Sequence, residues 1–133
     1  MGAKQLKNGN RDEDLVVSIF KKHGFWCHNF AKGKTGEQPC DIVALKENQI
    51  WLVDVKNVEK GVSFPINRIE ANQWACFDYA RNFARIKNLG FVICFERDDL
   101  KPFFLEYDKA LEMEKTGQKS INMSELKGWE EYL

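Results

Sequence analysis

Pro39-Cys40-Asp41-Ile42-Val43-Ala44-Leu45, Lys46-Glu47-Asn48-Gln49 and Ile50-Trp51-Leu52-Val53-Asp54-Val55-Lys56 run on without a break, and the chain is read outward from them. The two flanks are apolar and rich in β-branched residues, and the segment between them is polar, so the stretch predicts a β-hairpin. Asp54 and Lys56 are two residues apart, which puts both side chains on one face of a strand. Asp41 opens the partner strand, where closure of the hairpin brings its carboxylate beside Asp54. Two acids and a lysine in apolar strands are costly to bury without partners. A divalent metal on the two carboxylates removes that cost and leaves Lys56 free to act on a substrate. The bland alternative is a solvated Asp54–Lys56 ion pair, with Trp51, Val53 and Val55 as the buried face. Against it, Ile50 and Leu52 share the face of Asp54 and Lys56, so that face is apolar where it starts.

Toward the N-terminus, residues 1–10 are polar and basic (Lys4, Lys7) and read as an unpacked arm. A first helix is expected over residues 11–23, with Leu15, Val16, Ile19 and Phe20 as its buried stripe. Asn10 and Glu13 have the spacing of a capping box, yet Glu13 also lies at the edge of the inward stripe, in line with Val16, Val17 and Phe20. Gly24 ends the helix, and residues 25–30 read as a strand. Residues 31–38 form a basic, glycine-bearing loop. Gly33-Lys34-Thr35 mimics the end of a phosphate-binding loop, but the required first glycine falls on His28, so that motif fails. Lys32 and Lys34 are read as phosphate contacts at the mouth of the hairpin, against the alternative of a solvated turn. Lys60, just beyond the hairpin, is placed with them. His23 and His28 have no partner at ligand spacing and are given no chemistry.

Toward the C-terminus, a long helix is expected over residues 68–87. Its stripe is Ile69, Gln73, Cys76, Phe77, Ala80, Phe83 and Ala84. Gln73, the one strongly polar member, either satisfies a buried backbone group or reaches into the site. Arg81 and Arg85 are expected one turn apart on another face, usable for a second subunit, for DNA, or for nothing. Residues 90–97 give a strong buried-strand signal and residues 103–106 a weaker one. Asp108 is read as the cap of a short helix to about residue 115, with a last short helix from Ser124. Helix, three strands, helix, two strands and terminal helices make a mixed five-stranded sheet flanked by helices, a single α/β domain over residues 1–133.

Formal net charge is zero, with 20 basic and 20 acidic side chains, which counts against indiscriminate coating of nucleic acid. Residues 1–90 carry 14 basic and 10 acidic side chains, and residues 91–133 carry 6 and 10. Any DNA affinity is therefore expected from a local patch on the N-terminal two-thirds. Cys27, Cys40, Cys76 and Cys94 lie apart in apolar stretches and form no Cys-x-x-Cys pair, so buried free thiols in a reducing cytoplasm are expected. No apolar run approaches the ~20 residues of a membrane-spanning helix, and the N-terminus lacks a signal-peptide pattern.

Asp41 followed by Asp54-Val55-Lys56 resembles the Asp…(Asp/Glu)-x-Lys signature of the PD-(D/E)XK nuclease superfamily. Within it, Val62-Ser63-Phe64-Pro65-Ile66 running into a helix with Asn72-Gln73, the strand over residues 90–95 and Gly117-Gln118-Lys119-Ser120-Ile121 look like Holliday junction resolvases of the RecU type. Glu13, with Gly33 and Gly36, looks like the archaeal resolvases. The likeness spans residues 12–122 and implies a restriction-endonuclease-like fold. The chain departs from the pattern at Cys40, between Pro39 and Asp41, and at Asp54, where these resolvases usually carry the longer Glu. In place of the RecU stalk it has only the loop over residues 31–38.

The resemblance implies Mg²⁺-dependent hydrolysis of DNA phosphodiesters, with Mn²⁺ able to substitute. Asp41, Asp54, the Val55 carbonyl and Glu13 would hold the metal, Lys56 would act on the attacking water or the transition state, and Gln73 would join the site. It also implies a bacterial or phage homodimer that resolves four-way junctions in recombination and repair. The alternatives are a nuclease of the same fold acting on nicks, ends or flaps, and a non-catalytic DNA-binding domain.

Overall fold

A computed structural model describes the backbone of residues 2–30, 40–98 and 101–133, and the side chains of these except residues 2–10 and 98. The expected hairpin is present: strand β2 (Ile42–Lys46) pairs antiparallel with β3 (Gln49–Val58), Leu45 opposite Ile50 and Ile42 opposite Val53. The turn is tighter than expected, since Lys46 and Gln49 pair and only Glu47 and Asn48 remain, Glu47 in the left-handed region at φ 50°. Strand β1 (Trp26–Asn29) flanks β2 on its other side.

From β3 the chain passes through β4 (Ser63–Pro65), a 3₁₀ turn (Ile66–Arg68) and helix α2 (Ala71–Asn82), then returns as β5 (Asn88–Phe95) parallel to β3. That is a βαβ crossover, which parallel neighbours require. Strand β6 (Pro102–Glu106), helix α3 (Tyr107–Thr116), β7 (Ser120–Asn122) and β8 (Lys127–Gly128) follow. The main sheet has the order β1-β2-β3-β5-β6-β8, and β4 pairs with β7 in a small second sheet. The sheet is mixed and helix-flanked as expected but has six strands: β8, two residues long at the edge, was not anticipated.

Helix α1 (Gly2–Lys22) covers one face of this sheet. Val16, Ile19 and Phe20 recur at helical spacing and pack on Ile42, Ala44, Trp51 and Val53, all buried. Phe20 meets Trp129 edge-on, with ring centroids 4.7 Å apart. Full burial of side chains this size is worth about 1.5–3 kcal/mol each. The opposite face packs Leu89, Phe91, Ile93 and Leu105 against Phe77 and Ala80 of α2 and Ala110 and Met113 of α3. Gly24, at φ 86°, ends the first layer's helix and turns the chain into β1.

Several expected boundaries move. Helix α1 begins at Gly2, earlier than expected, so residues 2–10 are helical backbone and Asn10 is not at an N-cap position. Helix α2 is shorter than the expected 68–87. Ile69 and Glu70 are extended, and beyond Asn82 the chain must reach β5, which it does through Arg85 at φ 60°. Phe83 therefore leaves the buried stripe: it is 72% exposed and stacks on Tyr79. Arg85 leaves the helix, while Arg81 pairs with Asp108 at 3.2 Å, so the two arginines do not share a helical face. Asp108 is not the cap of α3, because the helix follows β6 directly and Glu106 takes the N-cap position. The last short helix expected from Ser124 is instead two 3₁₀ turns, Met123–Glu125 and Trp129–Tyr132. All four cysteines are free, Cys40 and Cys94 buried, Cys27 and Cys76 half-buried. Among the described residues, no helix is long and apolar enough to cross a membrane.

Candidate active site

The hairpin register carries Asp41 to a position beside Asp54. Asp41 extends the pairing one residue beyond β2: its N–H donates to Val53 O at 3.1 Å, and its carbonyl accepts from Phe30 N–H at 2.7 Å. Its carboxylate folds back onto β3, where Oδ2 accepts the Val55 N–H at 2.7 Å. Asp54 and Lys56 point toward the α2 side, because the alternate positions Trp51 and Val53 pack on the α1 layer. Both are buried, Asp54 2% and Lys56 9% exposed, so the solvated ion pair of the bland reading is not what forms.

Lys56 is held by three acceptors. Its Nζ stands 3.0 Å from Asp54 Oδ2 and donates to Gln73 Oε1 at 3.1 Å and to the Arg68 carbonyl at 3.3 Å. The α2 layer supplies Gln73 through a capping box in which the Gln73 Oε1 also accepts the Glu70 N–H at 3.0 Å. The two roles read for Gln73 are thus both met by one amide oxygen. Asp54 Oδ2 is buried and, beyond its charge contact with Lys56, makes no hydrogen bond of acceptable geometry.

Burial is the main force on both acids, and each carboxyl sits above the ordinary carboxylate range. Asp41 is pushed up to about 8 by burial, then by the charge of Asp54, against the opposing Val55 N–H, with Glu13 adding a further push. Asp54 is raised by burial and lowered in part by Lys56. The pair thus resists carrying two negative charges together. Two confined carboxylates, one with a buried oxygen satisfied by no more than its charge contact with Lys56, are what a hard divalent cation complements, since Mg²⁺ takes one or two carboxylates and fills its shell with water. The residues present fit such an ion.

Glu13 accepts from Asn29 Nδ2 at 3.1 Å and lies near enough to influence Asp41. Among the described residues, however, no group of three or more His, Cys, Asp or Glu side chains gathers closely enough to hold a metal. Asp41 and Asp54 are therefore the pair the fold brings together, with Glu13 outside it. Lys60 is exposed in the connection after β3. Lys32 and Lys34 lie outside the described residues.

Sequence reasoning did not single out Arg68 and Glu70, whose backbone groups hold Lys56 and Gln73. The Glu70…Gln73 spacing was the available signal, but glutamate is an unusual N-cap and the helix was expected to begin earlier.

The solved structure of Archaeoglobus fulgidus Hjc, a Holliday junction resolvase from an archaeal hyperthermophile, matches with a TM-score of 0.61. The match covers 87% of this chain and 89% of that one at 22% sequence identity. The class it defines is one of fold: a single mixed α/β domain with a helix-flanked sheet, as in the Hjc resolvase. No protein-family model and no curated protein matches the chain in sequence.

Proposed function

We propose that this protein is a divalent-metal-dependent DNA endonuclease that cuts branched DNA, with four-way junctions as its substrate in recombination and repair. The observation that carries the reading is the convergence of Asp41, Asp54 and Lys56 at the hairpin mouth, with Asp54 Oδ2 buried and lacking a hydrogen bond. Likeness of fold to a protein described as a Holliday junction resolvase supports the substrate class. The RecU-type grouping rests on the sequence of segments 62–66 and 117–121, parts of which pair in this fold, Phe64 opposite Ile121.

In this reading Asp41, Asp54 and the Val55 carbonyl would hold Mg²⁺, for which Mn²⁺ would substitute, while Glu13, expected as a further ligand, acts on the site through its charge on Asp41. When bound, the metal acts as a Lewis acid on the phosphoryl oxygen and lowers the pKa of the attacking water. Lys56, prealigned by Gln73 and the Arg68 carbonyl, donates a hydrogen bond to the water or to a phosphoryl oxygen as negative charge builds there. Its alignment before substrate arrives avoids reorganisation during the reaction. Asp41 stays bound to Val55 N–H, which holds its carboxylate against β3 beside Asp54. Water adds at phosphorus, the P–O ester bond breaks, and the departing oxygen takes up a proton.

Lys32, Lys34 and Lys60 contact backbone phosphates, which position a duplex without reading its sequence. A homodimer in the cytoplasm of a bacterium, or in a phage-infected one, would nick two opposed strands of a two-fold junction. The test is cleavage of a synthetic four-way junction, a matched duplex and a flap, with Mg²⁺ and with EDTA. Preferred Mg²⁺-dependent cutting of the junction supports the proposal. Equal cutting of all three leaves a nuclease without the junction preference.

A further inference from the structure

The side chain of Arg68 makes one hydrogen bond and one ring contact. Its Nη1 donates to the Asn57 carbonyl at 2.5 Å, while its own carbonyl accepts from Lys56 Nζ at 3.3 Å. Asn57 directly follows Lys56 in β3, so the two bonds clamp the 3₁₀ turn Ile66–Arg68 to the strand at the lysine. Asn57 is anchored in turn through its side chain, whose Nδ2 donates to Asp12. Asp12 is fully buried and paired with Arg11, which reaches Glu96 at 2.7 Å. The Arg68 guanidinium also lies 5.6 Å from the centre of the Phe64 ring. Phe64 is itself buried, so the guanidinium has a rigid apolar surface beneath it.

A guanidinium offers five N–H donors in a fixed plane. One is used here, and among the described residues no carboxylate forms an ion pair with Arg68. The residue is nevertheless exposed at the site mouth, with the field of Asp54 acting on it. An arginine held on both sides, stacked over a ring and left with open donors is preorganised to take a planar anion with two acceptor oxygens.

We infer that Arg68 is the phosphate clamp of the site, gripping a DNA backbone phosphate next to the one that Lys56 addresses. This rests on the proposed endonuclease reading and adds to it a binding residue on the β4–α2 connection. Arg68 acts by contact with the substrate and also by holding the turn whose carbonyl fixes Lys56. Both contributions come from the side chain, so they separate by readout: contact with substrate shows in binding and its salt slope, positioning of Lys56 in the cleavage rate alone.

The experiment compares wild type, Arg68→Met and Arg68→Lys on a fluorescent four-way junction. Binding is measured in Ca²⁺, from 50 to 300 mM salt, and single-turnover cleavage in Mg²⁺. Arg68→Met is expected to weaken binding roughly tenfold and to lower the log–log salt slope by about 1. Arg68→Lys keeps the charge and is expected to retain the slope while losing part of the cleavage rate. Unchanged binding and slope in Arg68→Met overturn the inference, including the case where cleavage alone falls, which assigns Arg68 only to positioning Lys56. A lowered melting temperature with wild-type binding per folded molecule also overturns it. If wild type itself neither binds nor cuts the junction, the endonuclease reading fails, and that result is distinct from failure of the clamp.

Discussion

Asp41 Oδ2 accepts the backbone N–H of Val55 at 2.7 Å, so the first acid of the hairpin is bonded to the residue standing between the second acid and the lysine. That bond makes one unit of two strands. It also leaves the Asp41 and Asp54 carboxyls against each other in a buried place, where ionising both is unfavourable.

Stability should consequently depend on pH in a direction opposite to that of a salt-bridged acid. Both folded-state values lie above the ordinary carboxylate value, so the folded protein holds protons that the unfolded chain gives up. The stabilisation is complete below about 4 and is lost as pH rises, for Asp41 through about 8. Melting temperature in EDTA is expected to fall between pH 5 and pH 8.5. Millimolar Mg²⁺ should reverse most of that fall, and Asp41→Asn should flatten it. A melting temperature that rises over the same interval in EDTA contradicts the assignment.

Gln73→Ala removes an oxygen that accepts from both Lys56 Nζ and the Glu70 N–H. Loss of the cap and of a buried acceptor should cost about 1–2 kcal/mol. Cleavage per folded molecule should fall by about 10–100-fold, the range for residues that orient a reacting group. Gln73→Glu keeps both acceptor roles and is expected to restore the melting temperature. Loss of stability with full activity per folded molecule would remove Gln73 from the site.

Lys32 and Lys34 are expected to serve the electrostatic part of binding. Changing both to Ala should lower the log–log salt slope of junction binding by roughly 1 to 2. An unaltered slope returns this loop to the reading of a solvated turn.

The parts of the fold legible in the sequence are those with a local signature. Period-two alternation through Trp51, Leu52, Val53, Asp54 and Val55 assigned faces that the structure keeps, with Trp51 and Val53 on α1 and Asp54 on the α2 side. Helical spacing of Val16, Ile19 and Phe20 likewise found the packed layer. What was not legible depends on distant partners or on short elements. Strand β8 is two residues long and exists because Phe103 and Phe104 pair with it. Strand β4 is defined by β7, more than fifty residues on. The apolar stripe runs on past Asn82 in the sequence, but the return to β5 ends the helix there and exposes Phe83. The site divides the same way: Asp41, Asp54 and Lys56 follow from the hairpin, whereas the Arg68 carbonyl and the Asp12–Asn57 bond need the tertiary fold.

In the proposed function Asp41, Asp54 and Lys56 form a hydrolytic centre for DNA. The most direct measurement is single-turnover cleavage of a synthetic four-way junction in Mg²⁺ by wild type and by Asp54→Asn, with binding measured in parallel. Wild type is expected to cut in a Mg²⁺-dependent way, and Asp54→Asn to lose cutting with binding preserved or tightened, because a negative charge near phosphate is gone. Equal turnover by the two proteins, or no Mg²⁺-dependent cutting by wild type, contradicts it.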